Sequence, residues 1–89
     1  MNNVITVTNL ITMHDIENYN PSPSILGAFL DKLAAAAMSH SNVITFECNK
    51  APHGEWAEVT YKFECDDMKF AYDTAYAIEY SVYSAGGFY

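Results

Sequence analysis

Two runs of alternating apolar and polar residues, VITFEC at residues 43–48 and WAEVTYKFEC at residues 56–65, decide the fold of this chain. In the first run the apolar positions are Ile44, Phe46 and Cys48. In the second run they are Ala57, Val59, Tyr61, Phe63 and Cys65. Strict alternation is typical of a strand with one buried face and one solvated face. Pro52 and Gly54 lie between the runs and favour a turn, so we predict a hairpin.

A first strand is predicted near the N-terminus of the chain. Residues 3–8, NVITVT, are mostly β-branched, and such side chains are enriched in strands. The pattern leaves two orientations open, in which either Ile5 and Val7 or Val4 and Thr6 face the interior.

A helix is predicted between the first strand and the hairpin. The prolines of residues 18–24, NYNPSPS, indicate a loop, and Ser22 followed by Pro23 is typical of a helix start. Apolar residues at helical spacing then give a core-facing stripe of Leu26, Phe29, Leu30, Leu33 and Ala37. His40, Ser41 and Asn42 are expected to end this helix before the hairpin begins.

A second helix is predicted after the hairpin, with Asp66 or Asp67 as its cap and Gly86–Gly87 as its end. Its apolar stripe is Met68, Ala71, Ala75, Ile78 and Val82. A second stripe beside it is aromatic and consists of Tyr72, Tyr76, Tyr80 and Tyr83. Because Tyr, Ile and Val also favour sheet, residues 75–83, AYAIEYSVY, keep a strand as an alternative.

These elements predict an α+β protein with the order β-α-β-β-α. The simplest arrangement is an antiparallel sheet of about three strands with two helices packed on one face. We expect residues 1–89 to form one domain, because a chain of 89 residues has room for a single core. Its 51% hydrophobic content is too high for a disordered chain.

The charge of the chain argues against several classes of partner. It has 11 acidic residues and 4 basic ones, none of them arginine, and a formal charge of -7. Phosphate backbones are bound by lysine and arginine, so we expect no direct binding of nucleic acid. The sequence contains no apolar run long enough for a membrane span and no secretory signal pattern, so we expect a cytoplasmic protein that does not enter membranes.

The two cysteines, Cys48 and Cys65, are predicted to be buried free thiols. Pairing the strands about the Pro52–Gly54 turn puts Cys48 opposite a residue near Ala57, well away from Cys65. A disulfide needs Cα atoms within about 7 Å, which this register does not allow.

The sequence carries no signature of an active site or a metal site. No flanking motif pairs either cysteine with a histidine, whether His14, His40 or His53. The close ligand spacing of a zinc site and a glycine-rich phosphate loop are both missing from the sequence. We therefore expect a protein with no enzymatic activity, no metal and no cofactor.

Two groups of side chains are candidates for binding a partner. The carboxylates on and around the hairpin are Glu47, Glu58, Glu64, Asp66, Asp67 and Asp73. The aromatic side chains, on the second helix, are Tyr76, Tyr80 and Tyr83. Solvation of a charged sheet face and of the core edge accounts for both groups without any partner. Alternatively, the carboxylates dock on a basic surface or imitate duplex phosphates, and the tyrosines anchor a partner.

In its size, negative charge, lack of arginine and lack of a catalytic signature, the chain resembles the very small acidic proteins that phages use to disable host defence, such as anti-CRISPR and anti-restriction inhibitors. The resemblance rests on size and charge and includes no motif. It implies a stoichiometric inhibitor that blocks a basic nucleic-acid channel of a larger protein. The alternative prediction is a small structural or assembly subunit that homodimerises through its tyrosine-rich helix.

Overall fold

The three strands form one antiparallel sheet, and both helices pack against it. The computed structural model of the chain describes residues 3–12 and 23–85. Its elements are β1 (Val4–Thr12), α1 (Pro23–Ser39), β2 (Val43–Lys50), β3 (Trp56–Glu64) and α2 (Met68–Ala85). The strand order is β1-β3-β2, so the second strand of the hairpin lies in the centre of the sheet. The predicted α+β class and β-α-β-β-α order are confirmed.

The alternation in β3 gives the sheet its two faces. Its inner face is completely buried and consists of Ala57, Val59, Tyr61 and Phe63. β1 pairs with β3 so that Val7 lies opposite Tyr61, and of the two orientations left open Ile5 and Val7 are the pair that faces inward. β1 is longer than predicted, because the alternation continues to Ile11, which is 2% exposed.

β2 departs from the predicted alternation at its start. The register with β3 shifts between Val43 and Thr45, which adds one residue to this edge strand. Val43 is consequently buried opposite Phe63, whereas Ile44 is 43% exposed. The prediction that Ile44 faces the interior was therefore wrong, and Phe46 is the residue of that face that does pack against the core.

Both cysteines are free thiols, as predicted, but neither is buried. Cys48 lies opposite Val59, on the inner side of the sheet, but it belongs to the exposed C-terminal half of β2. Cys65 lies just beyond the end of β3 and is half-buried.

α1 buries the stripe that its spacing predicted: Leu26, Phe29, Leu30, Leu33 and Ala37 are at most 2% exposed. The helix begins at Pro23, and its predicted cap Ser22 lies outside the described residues. The buried alanine lets a neighbouring element approach the last turns of α1 closely.

α2 is a helix throughout the segment for which a strand was the alternative, so that alternative is wrong. The Asp67 carboxylate caps it by accepting hydrogen bonds from the backbone N–H groups of Lys69 (2.9 Å) and Phe70 (3.4 Å). Met68, predicted to begin the apolar stripe, is 63% exposed, and the buried residues start at Ala71. The glycines expected to end the helix lie outside the described residues.

Both helices pack on the inner face of the sheet, where α1 lies over β2 and α2 lies over β1. A buried carboxylate joins α2 to the strands beneath it. Glu79 accepts hydrogen bonds from the Tyr61 hydroxyl and from the Asn9 amide, each at 2.7 Å. Within residues 3–12 and 23–85, no helix is both long and apolar enough to cross a membrane.

Candidate functional site

The face of the sheet opposite the helices is the largest polar surface that the strands present. We call it the outer sheet surface. It consists of the even-numbered residues of β1 and β3 together with Thr45, Glu47 and Asn49 of β2. Its side chains are exposed or half-buried, since both helices pack on the other face. Threonines occupy its centre, where the Thr8 and Thr60 hydroxyls lie 3.2 Å apart.

The charge on the outer sheet surface is mainly negative. Glu47, Glu58 and Glu64 all lie on it, as predicted, and all are exposed. Lys62 is its one lysine, because Lys50 pairs with Ala57 and so projects toward the inner face. Three glutamates and one lysine leave a net charge of -2. Glu47 lies opposite Thr60 and diagonal to Glu58, which places two carboxylates side by side.

One end of the outer sheet surface is apolar. Leu10 is 59% exposed and Trp56 is 42% exposed, and they are diagonal neighbours because Leu10 pairs with Glu58 and Thr12 with Trp56. Tryptophan is enriched among the residues that contribute most of the binding energy at protein interfaces. We did not identify Trp56 or Leu10 as site residues from the sequence. The signal was available, because each is an apolar residue at a position of its strand where the alternation otherwise puts polar residues.

The predicted aspartates do not join this surface. Asp66 is exposed in the link between β3 and α2, and Asp67 caps α2. Asp73 lies on α2 and forms a salt bridge of 2.6 Å with Lys69. Hydrogen bonding to the Asp73 carboxylate, with its charge, raises the pKa of the Lys69 ammonium. Asp73 is thus neutralised locally.

The predicted tyrosines belong to two environments. Tyr72, Tyr76 and Tyr80, which we call the tyrosine row, are 50%, 69% and 53% exposed. The rings of Tyr76 and Tyr80 stack with centroids 6.4 Å apart. Tyr83 instead packs on the buried ring of Phe29, with centroids 4.7 Å apart, and is half-buried. Its ring contributes to the core more than to the surface.

The predicted site is therefore divided between two sides of the molecule. Glu47, Glu58 and Glu64 lie on the outer sheet surface, whereas Asp73, Tyr76 and Tyr80 lie on a helix packed against the inner face. A single flat partner surface does not reach both groups. The sequence placed each residue on the correct element, but we grouped residues that the layered fold separates.

A groove of about 500 Å³ runs between the C-terminal part of α1 and α2. Its polar lining includes Ser39, Ser81, His40 and Asp73. The two serine hydroxyls donate to carbonyl oxygens of their own helices, at 2.8 and 2.7 Å. His40 Nδ1 accepts from a backbone N–H two residues on, and Asp73 pairs with Lys69. Each of these groups is thus engaged within its own segment, an arrangement that does not favour nucleophilic chemistry.

Other ionisable groups serve the packing of the core. Burial, reinforced by the adjacent Glu79 carboxylate, raises the pKa of the Tyr61 phenol well above its usual value. Tyr61 therefore stays a neutral hydrogen-bond donor to Glu79. Among the residues that the structure describes, no three His, Cys, Asp or Glu side chains are grouped so as to hold a metal ion.

Comparison of the chain with protein-family models, with curated proteins and with solved structures finds no match. The likeness to small phage inhibitors accordingly stays a prediction.

Proposed function

We propose that this protein is a non-enzymatic binding protein whose outer sheet surface docks on a basic surface of a larger protein. By covering that surface, it would keep nucleic acid from binding there, as a stoichiometric inhibitor does. The observation that carries the proposal is the set of three exposed glutamates, with a single lysine, on the sheet face opposite the two described helices.

Electrostatic attraction supports this proposal both at long range and at direct contact. The formal charge of -7 attracts a basic partner from afar, which raises the association rate at low salt. At contact, the glutamates are spread along the sheet. Glu58 and Glu64 are six residues apart on β3, or about 20 Å at the usual rise of a strand. Carboxylates spread over this length meet lysines or arginines that would otherwise hold phosphates.

The apolar end of the outer sheet surface would add binding affinity to the long-range electrostatic attraction. Rim charges chiefly change association rates, whereas buried aromatic anchors contribute most of the binding energy. Trp56 and Leu10 are neighbours on the same face as the glutamates. In this proposal they enter the partner's apolar contact area, and the glutamates surround them.

The decisive experiment compares two charge reversals of equal size. Glu58→Lys changes the outer sheet surface, and Asp31→Lys makes the same charge change at an exposed position on α1. Each immobilised variant and the original protein would be exposed to nuclease-treated bacterial lysate at low and at high salt. We expect a partner that is captured at low salt by the original protein and by Asp31→Lys, and whose capture by Glu58→Lys falls at least about tenfold.

Competition with nucleic acid separates occlusion from simple charge attraction. Duplex DNA or RNA added to the captured complex should release the partner, because both ligands occupy the same basic surface. Capture that withstands nucleic acid and high salt, or that Asp31→Lys reduces as much as Glu58→Lys does, would contradict the proposal.

A further inference from the structure

β1 is an edge strand whose outward hydrogen-bonding groups are not used by any described strand. The sheet order puts β3 on one side of β1 and no strand of the described residues on the other. The Cys65 N–H donates to the Asn3 carbonyl at 3.1 Å, so the backbone at residue 3 faces β3. Because these groups alternate along an antiparallel strand, those of Val4, Thr6, Thr8 and Leu10 point away from β3.

The two edges of this sheet are protected to different degrees. β2 has a register shift at its start and carries Glu47 and Lys50, which are the features that usually prevent edge-to-edge pairing. β1, VITVTNLIT, has nine residues with no charge, no proline and an unbroken register against β3. A long uncharged edge of this kind is a template for pairing with another strand.

The distribution of charge in the chain indicates which strand pairs with β1. The chain carries -7, so two copies repel each other wherever charged surfaces meet. Each of α1, β2, β3 and α2 contains charged residues, whereas β1 contains none. β1 is thus the element along which two copies approach without placing like charges opposite one another.

We infer that β1 pairs antiparallel with β1 of a second copy around a two-fold axis at Thr8. This inference does not depend on the proposed function. Thr8 is the middle residue of β1, and its N–H and C=O point outward, so a centre there lets the whole of both strands pair. Thr6 then lies opposite Leu10 of the second copy, and two three-stranded sheets become one continuous sheet.

The tyrosine row lies on α2, which is the helix that packs over β1. Ile78 and Ser81 face α1 across the groove. At about 100° per residue, Tyr76 lies on the opposite side of α2 from Ile78 and Ser81, and both Tyr76 and Tyr80 are exposed. A two-fold axis perpendicular to the sheet places both α2 helices, each of which packs over β1, on the same face of the dimer. The exposed rings of the tyrosine row then lie on the helix next to the dimer contact, and tyrosine is enriched at interfaces.

The first test measures the mass of the purified protein by analytical ultracentrifugation over a range of concentrations. We expect a dimer that dissociates on dilution. Thr8→Lys sets two ammonium groups against each other on the axis, and should leave a monomer with an unchanged circular-dichroism spectrum. Thr45→Lys makes the same change on β2 and should leave the dimer intact. A monomeric original protein, or a dimer that survives Thr8→Lys, overturns the inference.

The second test reads the register directly, in a background of Cys48→Ser and Cys65→Ser. In this background Thr8→Cys is the one cysteine of each copy. The two Cys side chains of the dimer then meet at the two-fold axis with Cα atoms about 5.5 Å apart, a separation that a disulfide spans. Val4→Cys places its two thiols eight residue positions apart along the pair, or about 26 Å. Mild oxidation should cross-link Thr8→Cys and not Val4→Cys. Equal cross-linking of the two variants, or of neither, overturns the register.

A third comparison tests whether the tyrosine rows meet. Tyr76→Ala should raise the dissociation constant of the dimer at least about fivefold, because a large ring leaves the interface. Phe70→Ala removes an exposed ring from a different side of α2 and should leave the constant unchanged. Equal effects of the two variants would show that the tyrosine row is not part of the dimer interface.

Discussion

The inner and outer faces of β3 come from the same nine residues and serve different ends. Inward, Ala57, Val59, Tyr61 and Phe63 are completely buried beneath two helices. Outward, Glu58, Lys62 and Glu64 are exposed, and Thr60 is half-buried. Alternation at a period of two separates these properties residue by residue. The difference teaches that one strand can hold the fold with every second side chain and leave the others exposed on the outer sheet surface.

The two faces should therefore respond differently to substitution. A domain of this size is stable by only about 5–15 kcal/mol, and its inner face supplies much of that stability. Exposed positions usually change the free energy of unfolding by no more than about 0.5 kcal/mol. Substitutions on β3 test this contrast most directly, because neighbouring residues share the same backbone.

The largest effect is expected for Phe63→Ala on the inner face. Phe63 is fully buried, stacks on Tyr61 with ring centroids 5.5 Å apart, and lies opposite Val43. Removing the ring should lower the free energy of unfolding by about 3–5 kcal/mol, through lost burial and the cavity left behind. Urea denaturation followed by circular dichroism measures the loss.

Lys62→Ala is the matched control, because it removes a long side chain from the adjacent position on the other face. We expect a change within about 0.5 kcal/mol. Similar losses for the two variants would break the proposed division between the faces.

The alternation that predicted this division accounts for most of the fold. It located β3, and the helical spacing of apolar residues located both buried stripes. It failed at Ile44, because a register shift in an edge strand depends on how that strand meets its neighbour. It also failed at Cys48, which lies on the inner side of the sheet but in the exposed C-terminal half of β2. Both errors concern tertiary placement, which a local pattern does not contain.

The candidate site was predicted less well than the fold. Glu47, Glu58 and Glu64 share a surface because strand alternation alone puts them there. Tyr83 belongs to the same helical stripe as Tyr80, but α1 brings Phe29 against it. The spacing of residues along α2 does not distinguish a tyrosine that packs on another helix from one that is exposed to solvent. The position of the neighbouring element decides, and the sequence of α2 alone does not give it.

A smaller effect is expected from the polar group of the inner face. Tyr61→Phe removes the hydroxyl that donates to Glu79 at 2.7 Å and keeps the ring. The buried carboxylate then loses one of its donors, which should cost about 1–3 kcal/mol of unfolding free energy. Tyr72→Phe, at a half-exposed position in the tyrosine row, is the matched control and should cost nothing measurable.

The same hydroxyl should give the protein a distinct alkaline pH dependence. The pKa of Tyr61 is raised in the folded state, chiefly by burial and then by Glu79, whereas in the unfolded chain it is about 10. The stability from neutral Tyr61 is therefore complete below about pH 10 and is lost as the pH rises, by about 1.4 kcal/mol per unit. Denaturation at several alkaline pH values should show this slope in the original protein and a shallower one in Tyr61→Phe. Equal slopes would show that the Tyr61 proton does not contribute.

A small effect on stability, with a large effect on binding, is expected for Trp56→Ala. Trp56 is 42% exposed on the outer sheet surface, and its contribution to the sheet comes from its backbone, whose carbonyl accepts from the Ala51 N–H at 2.9 Å. The substitution keeps that hydrogen bond, so the free energy of unfolding should fall by less than about 1 kcal/mol. If Trp56 anchors the partner, affinity should fall by about 2 kcal/mol or more, roughly thirtyfold.

Met68→Ala separates an anchor from any exposed apolar side chain, because Met68 is 63% exposed and lies at the start of α2, outside the outer sheet surface. Binding of the captured partner to immobilised Trp56→Ala and Met68→Ala would be compared by surface plasmon resonance, with urea denaturation of each variant alongside. A loss of affinity for Trp56→Ala alone, at unchanged stability, assigns binding to the outer face. If Trp56→Ala destabilises the fold by several kcal/mol, the outer face is part of what holds the domain together. The contrast between the two sides of β3 then fails at its apolar end.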